Sequence, residues 1–336
     1  SFAVWFGNLN QDEGWYLYAA RRVSEGAMPY RDFFFTQGPV MPYVYGMLSG
    51  LWLPFGVLGG RLATVFFGLL GCVLAAGLAR RAVPTQRAAE AGILAFALTG
   101  CNLYHVYFTT IPKTYALASC LLLGGYLTLS LCLSRRKKMR SHLSCMWALP
   151  AGLLVAFAAG TRLSLGMLLP VTVIGLLCMY RKTGAAFFWF ALGGGLGLAL
   201  VYGPALLEAR EPFVFAQTYH VERGGRDLFY MAGSLSRTVR AYLPACLLGV
   251  ALSVFRLFRG AGVPGQAPQE EPGGVVYHGR LWPWLWLAAF LAVFLVQWAS
   301  PFPYDDYQVP VMGLFVAAVS GWAANSTSSG VLRGCV

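Results

Sequence analysis

The chain has 336 residues, of which 57% are apolar and 11% charged, against roughly 25% charged in an ordinary soluble domain. That composition excludes a soluble globular protein and leaves no room for a separate soluble catalytic domain. The net charge of +12 would suggest nucleic acid in a soluble chain, but in a membrane protein Lys and Arg first report orientation.

The chain opens at Ser1 with a short apolar stub, Phe2 to Phe6. We therefore expect a first helix upstream of it. Asn10 can cap a helix from Gln11 to Glu25, with Arg21 and Arg22 late in it, Gly26 as its stop and Pro29 beyond. Trp15, Tyr16 and Tyr18 suit that helix to the membrane surface. The stretch 39–56 is apolar but carries Pro39, Pro42 and Pro54, and we place it along the interface. Residues 1–56 thus form an external first loop with juxtamembrane helices.

Apolar runs then predict nine spans within a transmembrane domain at 57–324: 57–79, 88–108, 115–133, 145–161, 163–180, 185–206, 241–258, 281–299 and 309–324. As a single helix, 145–180 would run about 54 Å, nearly twice the hydrocarbon thickness. Two short helices meeting near Arg162 fit better. Residues 208–240 read as an external loop, 260–280 as a flexible cytoplasmic loop rich in Gly and Pro, and 325–336 as a C-terminal tail. The expected fold class is all-α, a polytopic transmembrane helical bundle. The eight cysteines fall mostly inside apolar runs, never as CxxC, and read as small hydrophobes rather than a disulfide or zinc framework.

This topology places Arg80, Arg81, Arg87, the basic run 135–140, Arg181 and Lys182 on one face, cytoplasmic by the positive-inside rule. The sequon Asn325-Ser326-Thr327 falls on that face too, where it would not be glycosylated. Of thirteen acids, ten (Asp12, Glu13, Glu25, Asp32, Glu208, Glu211, Glu222, Asp227, Asp305 and Asp306) fall on the opposite face. Acids contribute little to topology, so insertion alone does not explain the clustering. Gly193-Gly194-Gly195-x-Gly197 lies inside a span and reads as close helix packing, not as a phosphate loop.

Asp12 and Glu13 admit two readings. Asn10-x-x-Glu13 has capping-box spacing, and Asp12 would meet the positive end of the helix dipole, so both acids could be structural. The other reading comes from resemblance. Asp12-Glu13-Gly14-x-Tyr16, then Glu25-Gly26-x-x-Pro29-Tyr30-x-Asp32-Phe33, then Gly38-Pro39 and Tyr43 resemble the first external loop of the GT-C glycosyltransferases. The likeness is to the bacterial branch related to protein mannosyltransferases and aminoarabinose transferases. Its specific motif is confined to residues 12–43.

The resemblance implies an integral enzyme of the bacterial cytoplasmic membrane that takes a sugar from a polyprenyl-phosphate donor on the external, periplasmic face. It implies Asp12 as the catalytic carboxylate, with Glu13 and Asp32 supporting it. The acceptor would be a glycan, a lipid or a protein, and nucleic acid is not among the expected partners. Inverting transfer needs a base to take the proton of an acceptor hydroxyl, and the departing lipid phosphate needs cations or a divalent metal ion to meet its charge.

For the donor phosphate, the candidates are Arg162, in AGTRLSLG, together with His220 and Arg223 from the loop 208–240. Arg237 and Arg240 read first as interfacial anchors. Lys113, after Ile111-Pro112, has the same standing as Arg162. Tyr304, Asp305, Asp306 and Tyr307, in SPFPYDDYQVP, could bind an acceptor, coordinate a divalent cation, or only terminate a helix. Asp32 could be no more than the partner of Arg31 or Arg21. The rival function is a transporter or flippase of lipid-linked saccharides, which would need mid-membrane charge or paired broken helices; a non-enzymatic assembly protein is a third reading.

Overall fold

A computed structural model describes residues 4–5, 7, 9–135, 145–179, 185–219, 228–260, 281–300 and 303–325. Among them the chain is helical, with one isolated bridge, Pro29 to Phe33. The helices are α1 (Gln11–Ser24), α2 (Val40–Met47), α3 (Ser49–Trp52), α4 (Gly56–Arg81), α5 (Thr85–Gly100), α6 (Leu103–Phe108), α7 (Thr114–Arg135), α8 (Ala148–Ala159), α9 (Leu168–Met179), α10 (Ala185–Glu208), α11 (Arg210–Thr218), α12 (Leu228–Gly260), α13 (Trp282–Trp298) and α14 (Val309–Asn325).

The described residues of the nine segments expected to span are mostly helical. Among the described residues, four stretches are long and apolar enough to cross a membrane: Ser49–Arg81, Thr114–Leu133, Ala185–Glu208 and Asp306–Ala324. The segments Ala148–Ala159, Leu163–Met179 and Trp282–Trp298 are apolar but shorter, and at 1.5 Å per residue a 12-residue helix covers about 18 Å, short of a bilayer core of roughly 30 Å.

Four expected boundaries are corrected. The span drawn at 88–108 ends at Gly100, because Asn102 starts a new helix by accepting the His105 N–H at 3.0 Å. The stretch 39–56 divides into α2, α3 and a 3₁₀ turn at Leu53–Phe55, and Gly56, at φ +57°, joins this turn to α4. The expected loop 208–240 is largely helical, as α11 and the first turns of α12. The span placed at 241–258 is therefore only the latter part of a 33-residue helix. Of the expected loop 260–280, the basic run 135–140 and the tail 325–336, all but the first residue of each lie outside the described residues.

Two apolar cores fix the architecture. The first lies within the bundle, among α4, α5, α7, α8, α13 and α14. Its tightest seam is between α8 and α10, where a side chain on Gly152 would overlap the Phe190 carbonyl and one on Gly193 would overlap that of Leu149. The glycine run is thus a packing surface, as expected. The second core sits at one end of the bundle, where Tyr16, Leu17, Tyr30, Phe35, Met41 and Phe213 bring α1, α2 and α11 together over α10. Trp15 stacks on Phe35 at 4.8 Å, and Tyr30 meets Phe213 edge-on at 5.0 Å. At the opposite end Arg87 donates to the Ala324 carbonyl at 2.5 Å, holding α5 to the last turn of α14.

Candidate active site

The first turn of α1 carries both acids of the motif and sends them in different directions. Asn10 closes the expected capping box: its side chain accepts the Asp12 N–H at 3.0 Å, and its own N–H reaches Glu13 Oε1 at 3.3 Å. The helix stops as predicted, with Gly26 at φ +90° and the Ala27 N–H bonded back to the Arg22 carbonyl at 2.9 Å.

Glu13 turns inward. Its carboxylate is 1% exposed and receives two 2.9 Å hydrogen bonds from Arg61 Nε and Nη2 in α4. Arg61 Nη1 also donates to the carbonyls of Val4 and Gly7. Glu13 is thereby the buried partner of Arg61 and is not among the residues lining the pocket that Asp12 faces. Asp32 also lies outside that lining: it pairs with Arg31 at 3.0 Å and accepts the Met28 N–H at 2.7 Å, and Arg31 also holds Glu208 at 2.6 Å. Those contacts keep the Asp32 carboxyl well below its ordinary value, at about 2. It stabilises the 28–33 turn and does not reach Asp12.

Asp12 turns outward into a pocket of about 370 Å³. Its side chain is 44% exposed, and one oxygen lies 2.8 Å from Lys113 Nζ. Lys113, just before α7, is 9% exposed and stands 3.9 Å from Asp306 on its other side. Asp306 lies in the 3₁₀ turn Asp305–Gln308 and accepts the Tyr115 hydroxyl at 2.6 Å.

Arg162 forms the far wall. It sits in extended backbone between α8 and the 3₁₀ turn Leu163–Met167, at the predicted junction of two short helices. The Tyr115 and Tyr307 rings flank its guanidinium at 4.7 and 4.4 Å, and Nη1 donates to Thr114 Oγ1 at 3.3 Å. Its Nε is buried without a hydrogen-bond partner among the described residues. A buried guanidinium held by aromatic faces, with a donor unused, is set to receive an anion.

The register of Arg162 depends on the GP segment of the first loop. The Val40 N–H bonds the Gly160 carbonyl at 3.0 Å, and Gly38 packs so closely there that any side chain would overlap Gly160. The Tyr202 hydroxyl, from α10, bonds the Ala159 carbonyl at 2.7 Å on the same turn. Asn10, Trp15, Tyr16, Thr36, Gln37 and Tyr304 complete the lining. Burial pushes the Tyr16 phenol well above its ordinary value, so it serves as a neutral hydrogen-bonding group.

Of the candidates named from sequence, Asp12, Arg162, Tyr304, Asp306 and Tyr307 meet at this pocket. His220, Arg223 and the side chain of Asp305 lie outside the described residues. Lys113, a candidate from sequence alongside Arg162, joins the residues at the pocket, while Tyr115 and Arg61 enter only with the structure. The signal for Arg61 was a lone charge in an otherwise apolar span.

The donor set does not suit a resident divalent cation. Asp12 and Asp306 are two carboxylates with an ammonium between them, and no group of three or more His, Cys, Asp or Glu converges among the described residues. Calcium or magnesium would need several more oxygens in the place where Lys113 stands. Comparison with protein-family models, curated proteins and solved structures gives no match to this chain.

Proposed function

We propose that this chain is a membrane-embedded glycosyltransferase of GT-C type, which takes a sugar from a polyprenyl-phosphate donor and transfers it with inversion on the face of the membrane that carries the pocket. The observation that carries the reading is the meeting of one half-exposed carboxylate, Asp12, with two buried cations, Lys113 and Arg162, from three separate segments of the chain. Four helices with the length and hydropathy to cross a bilayer agree with a lipid-borne substrate.

In this reading Asp12 accepts the proton of the acceptor hydroxyl as its oxygen attacks the anomeric carbon. The bond from that carbon to the phosphate oxygen breaks on the opposite side, and its electron pair leaves with the lipid phosphate. Lys113 orients the Asp12 carboxylate from 2.8 Å and, with Arg162, meets the phosphate charge. Arg162 presents a planar fork suited to phosphate oxygens. Tyr304 and Tyr307 form the wall against which a sugar ring stacks.

The test is formation of a new glycosidic bond by purified protein in proteoliposomes containing a polyprenyl-phosphate sugar. Asp12→Asn should lower the rate by a factor on the order of 10² to 10⁴ while the variant still folds and inserts into the membrane. Undiminished transfer by that variant would refute the assignment. Movement of the lipid between leaflets without a new bond would replace it with a flippase.

A further inference from the structure

A second cavity, of about 740 Å³, lies between α5 and α12. Both helices pack on α14, and their facing sides form a trough lined by Ala97, Leu98, Ala245 and Leu248. At the end of the bundle that carries the reaction pocket, the lining changes from apolar to cationic. Arg237 and Arg240, one turn apart on α12, stand there beside Asn102. Asn102 Nδ2 donates to the Ala241 carbonyl at 2.8 Å and ties the two walls together at this level. Arg240 folds back on Ser236 Oγ at 3.0 Å. Pro244, inside α12, lacks the N–H that would otherwise bond the Arg240 carbonyl one turn earlier.

The trough is separate from the reaction pocket. Between them runs a layer of rings: Tyr104 meets Phe108 at 4.8 Å and Phe108 meets Tyr115 at 5.8 Å, while Tyr230 meets Tyr304 at 5.9 Å. A phosphate held by Arg237 and Arg240 would thus be screened from Asp12. This favours a lipid that does not react over the sugar carrier.

We propose that the α5–α12 trough binds an anionic phospholipid of the surrounding bilayer. Its phosphate lies at Arg237 and Arg240, and its acyl chains lie along the apolar wall. Charge complementarity at one end and apolar lining along the rest match the two parts of such a molecule. The proposal needs only that the apolar helices cross a bilayer, and it stands or falls independently of glycosyl transfer.

The experiment reconstitutes the purified chain in nanodiscs of phosphatidylcholine with a minor fraction of phosphatidylglycerol, then counts retained lipids by native mass spectrometry after release into mild detergent. Wild type should retain phosphatidylglycerol in preference to phosphatidylcholine. Arg237→Gln and Arg240→Gln should each weaken that retention about fivefold, the effect expected of one basic residue at an anionic lipid surface. Leu248→Trp should lower it by filling the trough with both arginines in place, and Arg80→Gln, at the other end of the bundle, should leave it unchanged. Equal retention in wild type and the double arginine variant would overturn the proposal, as would an equal loss in Arg80→Gln. Displacement of phosphatidylglycerol by equimolar polyprenyl phosphate would overturn it in favour of the carrier.

Discussion

Arg61→Met isolates the role of Glu13. In the native protein the Glu13 carboxylate and the Arg61 guanidinium, 1% and 6% exposed, share two 2.9 Å hydrogen bonds, and Arg61 also satisfies two backbone carbonyls. Removing the arginine leaves a buried anion with the Asn10 N–H as its remaining donor, and breaking a buried pair in this way costs about 3–5 kcal/mol. That is a large share of a total stability of roughly 5–15 kcal/mol. Glu13→Gln keeps an acceptor for the capping box but strands the guanidinium, so it should cost a similar amount. Both charges are absent from the double variant Glu13→Gln/Arg61→Met, which should recover about 2 kcal/mol or more relative to the sum of the single losses. Reversible unfolding of the purified chain in mixed micelles by SDS titration measures all three. Losses below about 1 kcal/mol that simply add would refute the buried pair. A Glu13→Gln variant with native stability but no transfer would return Glu13 to catalysis.

Three further outcomes follow from the same geometry. Gly38→Ala places a methyl group on the Gly160 carbonyl; overpacking of this kind costs about 1–3 kcal/mol, and displacement of the Arg162 turn should raise the donor KM more than it lowers kcat. Arg162→Lys loses both the stacking between Tyr115 and Tyr307 and the fork, and should reduce kcat/KM for the donor at least about tenfold, the worth of a charged hydrogen bond; an unchanged value would remove Arg162 from the phosphate site. Asp32→Asn should leave transfer at neutral pH intact. Because Arg31 and the Met28 N–H hold the Asp32 carboxyl down at about 2, its stabilising contribution is present above its unfolded value near 3.9 and is lost as pH falls toward 2. The stability gap between wild type and Asp32→Asn should therefore be constant above about pH 5 and close below it.

The parts of the fold that sequence made legible are those where length or local chemistry permits one answer. Residues 145–180 are too long for one span, so Arg162 had to lie at a junction, and it does. The Gly193–Gly197 run reads as close helix packing, and Gly193 and Gly197 do lie against α8, at the Leu149 carbonyl and the Ala156 side chain. In 208–240 charge and aromatic content suggest a loop, yet the described residues there are largely helical. Between Pro212 and Pro244 no proline interrupts the chain, and a helix that extends beyond the apolar layer is free to carry polar residues. The pairing of Asp12 with Lys113, and of Lys113 with Asp306, joins positions about 100 and 190 residues apart. No local spacing encodes contacts of that kind, and hydropathy placed these residues only at the same end of the bundle.

The acidic pair of the first loop shows how a local rule could have been carried further. Successive helical residues point about 100° apart, so Asp12 and Glu13 cannot both face one site. The capping box assigns the N3 position to Glu13, whose carboxylate must then stay close to the Asn10 backbone. Asp12, at N2, has no such tie and is the one acid able to project away from the helix start. Arg61, a single charge in an apolar span, needed a buried anion within reach, and Glu13 was the acid already held inward. The pair thus divides by position rather than by acidity: substitution at Glu13 should be read in stability and substitution at Asp12 in rate, and a variant of either that moved the other observable would break this division.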